Sequence, residues 1–164
     1  MLGLPYPGGP QVDNLASKGN PEVFRFPITE MPGLDYSFSG IKTAVLYFLR
    51  DHLKEDDQFV QNNLHDICAS VQYALVEMLM VKLQKAAIET GISDIAIAGG
   101  VSANSGLRNS LKKYAAKYNW KYYIPAFEYC TDNAAMIGIA GYYKYLAGQF
   151  SGLDVTPLPR MAIQ

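Results

Sequence analysis

Cysteine and histidine are scarce, with two of each in 164 residues. Cys68 and Cys130 show no Cys-x-x-Cys spacing, which argues against a disulfide scaffold or a zinc ribbon and for a reducing compartment, the cytoplasm. His52 and His65 do not stand at the spacing of a metal-binding pair. Net charge is also lacking: a formal −1 gives no general attraction to nucleic acid or membrane, so any partner has to be argued locally. There is no basic-then-apolar leader and no uninterrupted apolar run of membrane-spanning length, so a soluble protein is expected. His-Glu-x-x-His, a Ser-His-Asp order and the P-loop lysine motif are missing as well. What is plentiful is apolar surface, 49% of residues with twelve tyrosines, enough for one packed globular domain.

The stretch Asp94-Ile-Ala-Ile-Ala-Gly-Gly-Val-Ser-Ala-Asn104 organises the rest. Asp94 to Ala98 suits a short buried parallel strand, Gly99-Gly100 a tight turn, and Ser102 to Asn104 the head of a helix. Glycines let the backbone approach a ligand, and the first helical amides are free donors at the positive end of the macrodipole, so the junction suits an anion such as a phosphate. The alternative is a plain strand-to-helix turn with Ser102 as N-cap.

Before it, Leu2 to Pro10 is a proline- and glycine-rich loop in which Gly8 and Gly9 can hold a backbone turn against a ligand. A short helix is predicted over Gln11 to Lys18, with Asp13 near its start placed to accept hydrogen bonds from hydroxyls. Val23 to Phe26 hints at an edge strand in an otherwise irregular connector. Leu34 to Ser39 alternates like a strand, with Ser39 capping a helix from about Gly40 through Leu53 and with Ser37 and Lys42 at the same junction. One long helix is expected from Asp56-Asp57 to about Thr90, ended by Gly91 in the αL conformation; Cys68 and Met78 to Met80 read there as packing.

After the central turn, Ser105 to Asn119 reads as a helix with Leu107, Leu111, Tyr114, Ala115 and Tyr118 inward. Arg108, Lys112, Lys113, Lys117 and Lys121 form a basic stretch suited to phosphates or simply to water. Lys121 to Ile124 gives a second strand, and Thr131 or Asp132 caps a last helix that closes near Gly148. Two successive strand-to-helix crossovers make the strands parallel, so Asn104 and Asp132, in the loops that follow them, could converge on one ligand. The tail from Leu153 to Gln164 is expected to be an extended strap.

Four ordered segments resemble the C-terminal half of the bacterial TsaD family, the tRNA threonylcarbamoyladenosine synthase subunit once called glycoprotease or O-sialoglycoprotein endopeptidase. They are Gly-Leu-Pro-Tyr-Pro-Gly-Gly-Pro (3–10), Asp-Tyr-Ser-Phe-Ser-Gly-Ile-Lys-Thr (35–43), Ala-Gly-Gly-Val-Ser-Ala-Asn (98–104) and Cys-Thr-Asp-Asn-Ala-Ala-Met-Ile (130–137). The resemblance implies an α/β fold, a partial RNase-H-like lobe of the actin-like ATPase superfamily of sugar kinases, actin and heat-shock chaperones. It implies transfer of a threonylcarbamoyl group from threonylcarbamoyl-adenylate to the exocyclic amine of the adenine beside the anticodon of tRNA. Gly9, Asp13 and Asn104 match the family's adenylate contacts, and Asp132 matches the carboxylate ligand of its iron or zinc.

The family's other metal ligands are histidines of a His-x-x-x-His motif in an N-terminal half that this sequence does not contain. The expectation is therefore a C-terminal lobe, residues 1–164, without its N-terminal lobe or the first strands of its own sheet. Alone it should bind metal weakly, leave tRNA unmodified and tend to self-associate through uncovered apolar surface. Implied partners are an adenine nucleotide, tRNA, the N-terminal half, a TsaB-like paralogue and a TsaE-like ATPase, with no membrane. Two alternative readings are a metalloprotease, after the old family name, and a non-catalytic actin-like scaffold.

Overall fold

The computed structural model describes residues 2–28, 31–156 and 158. Two compact units emerge, one ending at Cys130 and the other beginning at Thr131.

The first unit is built on its longest helix. Helix α1 (Gly8–Ala16) starts at the glycine pair, with Pro10 in the first turn, where its missing N–H costs nothing. It begins three residues before the predicted start, so Asp13 sits mid-helix. Helix α2 (Phe38–His52) is capped by Ser37, whose Oγ accepts from Gly40 N at 3.3 Å. The cap is thus two residues earlier than Ser39, and no strand forms over Leu34 to Ser39. Ile41, Val45 and Leu49, spaced four apart, bury one stripe of α2.

The single helix expected from Asp56 is broken. Asp56 Oδ1 accepts from Gln58 N at 2.8 Å, a short α3 (Phe59–Asn62) follows, and Asn63 leaves helical geometry at φ −117°, ψ 15°. The Asn63 side-chain amide donates to Phe59 O at 2.9 Å beside its own backbone N–H at 3.1 Å, the local side-chain-to-backbone bonding that lowers asparagine's helix propensity. Helix α4 (Leu64–Thr90) then runs 27 residues, about 40 Å at 1.5 Å per residue. Gly91 ends it at φ 70° as expected.

By length and composition α4 is apolar enough to cross a membrane, with a mean hydropathy of 1.3 over 18 residues, although polar residues interrupt it. It serves as a core helix. Ile67, Cys68, Ala69, Ser70, Ala74, Val76, Met78, Met80 and Ala87 are buried, on several faces rather than one stripe. Each face meets a different neighbour: Ala16 of α1 on Cys68 and Ala69; Ile41, Val45 and Leu49 of α2 on Ile67 and Met78; Leu107 and Leu111 of a later helix, α5 (Ser105–Tyr118), on Val76 and Met80. Burial pushes the Cys68 thiol up from its ordinary value, consistent with a packing role.

Val23 to Phe26 alternates in burial but pairs with no strand. Phe24 and Phe26 instead join Phe48 and Phe59 in an edge-to-face aromatic cluster, with centroids 5.1 to 5.8 Å apart. His52 stacks on Phe59 at 4.3 Å and bonds Phe48 O at 2.9 Å, which accounts for it structurally.

Strand β1 (Asp94–Ala96) pairs in parallel with β2 (Lys121–Tyr123), with Ile95 opposite Tyr122, across the crossover helix α5 (Ser105–Tyr118). Parallel pairing was expected; both strands are shorter than predicted. Of the expected α/β fold, the described residues show a mostly helical unit with two parallel strands.

In the second unit, α6 (Ala134–Leu146) is capped by Asn133, whose Oδ1 accepts from Met136 N at 3.2 Å, not by Thr131 or Asp132. None of its 13 residues is buried, so Met136, Ile137, Ile139, Tyr142 and Leu146 remain exposed. Gly148 closes it at φ 65°. The expected strap falls largely on residues 157 and 159–164, outside the described residues.

Candidate functional site

Strand β1 leads to Gly99, whose φ of 75° and ψ of 177° belong to a region essentially reserved for glycine. The chain reverses there into a 3₁₀ turn, Gly100–Ala103. Ser102 is the buried strut of that turn, its Oγ donating to Gly99 O at 2.6 Å. It is not the helix cap. Asn104 is: its Oδ1 accepts from Leu107 N at 2.9 Å, while its Nδ2 donates to Gln72 Oε1 of α4 at 2.7 Å and to Asp13 Oδ1 at 3.2 Å.

Asp13 therefore meets Asn104 from far away in sequence, and it takes the place where an anion was expected. Its carboxylate accepts from Ser105 N at 3.0 Å through Oδ2 and at 3.2 Å through Oδ1, and from Ser105 Oγ at 2.7 Å. The first turn of α5 thus holds a protein carboxylate as countercharge to its macrodipole, rather than standing open for a phosphate. Oδ1 is crowded by three donors; Oδ2 has one and keeps capacity for another.

Around this pair lies a cleft of about 600 Å³ lined by Gly9, Pro10, Asp13 and Asn14 from α1, Gly100, Val101, Ala103 and Asn104 from the turn, and Phe127. A Cβ placed on Gly9 or Gly100 would meet nothing within 4 Å, so both glycines border open space and not packed protein. Three of the four predicted site residues, Gly9, Asp13 and Asn104, are thereby gathered at one cleft. A larger concavity of about 790 Å³ follows β1 and β2 and contains none of them.

Asp132 lies exposed in the second unit, next to the Asn133 cap. Among the described residues no three His, Cys, Asp or Glu side chains gather closely enough to hold a metal ion, and His65 is exposed on α4. Lys42 is exposed beside a smaller apolar cleft with Leu2, Val12 and Phe38.

Sequence reading missed Gln72, Ser105 and Phe127, and it placed Arg108 in a basic stretch suited to phosphates or to water. Arg108 is half-buried and turned toward Ser102 and Pro125. Its place four residues after the Asn104 cap, on the same face of α5, was the available signal. Gln72, mid-helix in α4, offered none.

The fold and site define an α/β protein with a cleft at the junction that follows its first strand. A family model described as TsaD, tRNA N6-adenosine threonylcarbamoyltransferase, matches residues 1–139. Proteins named tRNA N6-adenosine threonylcarbamoyltransferase from Cytophaga hutchinsonii and Christiangramia forsetii are each 57% identical, over 163 and 160 residues; these alignments cover 99% and 98% of this chain and 48% and 47% of those proteins. One from Caldicellulosiruptor saccharolyticus is 42% identical over 163 residues, 99% of this chain and 47% of its own length. This chain belongs to the TsaD family, and it spans about half the length of the curated relatives it matches.

Proposed function

We propose that the chain supplies the adenylate-facing part of a tRNA threonylcarbamoyl-transfer site, within the actin-like ATPase fold that family membership implies. The observation that carries this reading is the convergence of Gly9 and Asp13 from α1 with Gly100 and Asn104 from the β1–α5 turn on one cleft. The bare glycines admit the nucleotide to the backbone, and the spare lone pair of Asp13 Oδ2 accepts a ribose hydroxyl. Holding the adenylate in one orientation places its carbamoyl carbon for attack by the adenine amine of tRNA, which loses a proton as the carbon–oxygen bond to the phosphate breaks and AMP leaves.

The family is generally metal-dependent, and a metal, when bound, polarises the carbamoyl carbonyl. The described residues do not make a metal centre by themselves. Asp132 is proposed as one ligand only, the others coming from residues beyond this chain, so modification of tRNA belongs to a longer or assembled protein. Its partners would be tRNA, the N-terminal half, a TsaB-like paralogue and a TsaE-like ATPase.

The test is calorimetric titration of AMP into the chain and into Asn104→Ala, with helicity checked by circular dichroism. About tenfold weaker binding, ~1.4 kcal/mol, is expected for the variant. Equal binding by both, or none by the parent, overturns the assignment of this cleft to the adenylate.

A further inference from the structure

The two loops that wall the cleft follow consecutive parallel strands, and one side chain joins them. Arg108 Nε donates to Ser102 O at 2.6 Å, inside the glycine turn. Its Nη2 donates to Pro125 O at 2.8 Å and to Cys130 Sγ at 3.2 Å, at the two ends of the loop after β2. Cys130 is buried and its thiol turns back to Ala126 O at 3.4 Å, closing that loop on itself. The guanidinium carbon lies 4.0 Å from the centroid of Phe127. A planar fork with donors in fixed directions sets the spacing of two loops in a way that a flexible ammonium cannot.

Phe127 is the consequence of that clasp. It is 67% exposed, yet the guanidinium covers one face of its ring, and it lines the cleft together with Val101, itself 66% exposed. An aromatic ring backed on one face by a cation and exposed at the edge of a cleft offers its other face to a planar ligand. A flat heteroaromatic ring suits such a surface, since every base has a π face that an aromatic side chain can meet.

We propose that Phe127 is the stacking wall that selects a purine ring in this cleft, and that Arg108 is its positioning residue. This rests on the reading of the cleft as an adenine-nucleotide site. Arg108 touches no ligand in this scheme; it acts by fixing Phe127 and the Ser102 turn at one separation.

Calorimetric titrations of AMP and of ribose 5-phosphate, which lacks the base, test it on the chain and on Phe127→Ala, Phe127→Tyr, Arg108→Met and the Arg108→Met/Phe127→Ala pair. Phe127→Ala is expected to weaken AMP about tenfold without changing ribose 5-phosphate, and Phe127→Tyr to restore AMP. Arg108→Met should reproduce the loss for AMP alone, and the double variant should lose no more than Phe127→Ala. Equal losses for both ligands in Arg108→Met would make its role merely structural and overturn the positioning claim. No change in Phe127→Ala would overturn the stacking wall, a test that stands even if Arg108→Met does not fold. If Asn104→Ala weakens AMP while Phe127→Ala does not, this inference falls and the nucleotide reading stands. If the parent binds no AMP, both fall.

Discussion

Replacing Asp13 by alanine should unfasten α5 from α1 without creating a cavity. Asp13 receives Ser105 N, Ser105 Oγ and Asn104 Nδ2, the shortest contact being 2.7 Å, and it sets a negative charge at the start of a helix with no acidic residue in its own first turn. Hydrogen bonds to a charged acceptor contribute about 1.5–3 kcal/mol, and the exposure of Ser105, which lets water replace the carboxylate, pulls that toward the lower end. The helix-terminus charge adds about 0.3–1 kcal/mol. The expected loss is therefore about 2 kcal/mol, a fall in Tm of roughly 4–8 °C for a chain of this size. Asp13→Asn should lose about half as much, because it keeps one acceptor and gives up the charge. Thermal melts of Asp13→Ala, Ser105→Ala and the double variant, read by circular dichroism at low and high salt, check it. The pair should couple by at least about 0.5 kcal/mol, with part of the effect screened by salt. Melting of Asp13→Ala within about 1 °C of the parent, or strict additivity, would refute the argument that this carboxylate fastens the helix.

Gly19→Ala should be more damaging, by about 3 kcal/mol, because the new methyl would overlap the His65 backbone where the turn after α1 lies on α4; a urea midpoint unchanged from the parent would contradict this close approach. Tyr123 donates to Asp94 Oδ1 at 3.0 Å, and that hydrogen bond, aided by the carboxylate's charge, raises the phenol above its ordinary value. Since the folded state holds this proton more tightly, the stabilisation is present at neutral pH and lost as pH rises through the shifted value; ultraviolet titration should show the shift disappear in Asp94→Asn, and an identical titration in both proteins would rule it out. For the transferase reading, Lys112, Lys113 and Lys117 are exposed along α5, and reversing all three to Glu should lower the slope of log affinity for tRNA against log salt by about two, near 0.7–0.9 per lost phosphate contact. An unchanged slope would return this face to ordinary solvation.

By itself the sequence determined features whose causes are local. Gly91 and Gly99 could be read because positive φ is cheap only for glycine, and the α5 stripe of Leu107, Leu111 and Ala115 because helical periodicity is a property of neighbours in the chain. The four motifs carried the family, and with it Gly9, Asp13 and Asn104. Local signals lost precision where equivalent groups compete within a residue or two: Ser37 against Ser39, Asn104 against Ser102 and Asn133 against Asp132 all offer a capping oxygen, and the backbone geometry selects one.

Tertiary structure alone decided the rest. The alternation of Phe24 and Phe26 meant burial against Phe48 and not a strand, because among the described residues no neighbouring strand takes its hydrogen bonds. Helix α4 is buried on several sides because three helices surround it, which no single apolar stripe could announce. Asp13 closes the first turn of α5 only because α1 packs on α4, with Gly19 allowing the approach, and Arg108 leaves the basic face only because the loop after β2 returns over it. Sequence sets which groups can donate, accept or turn; the packing of distant segments sets which of them meet.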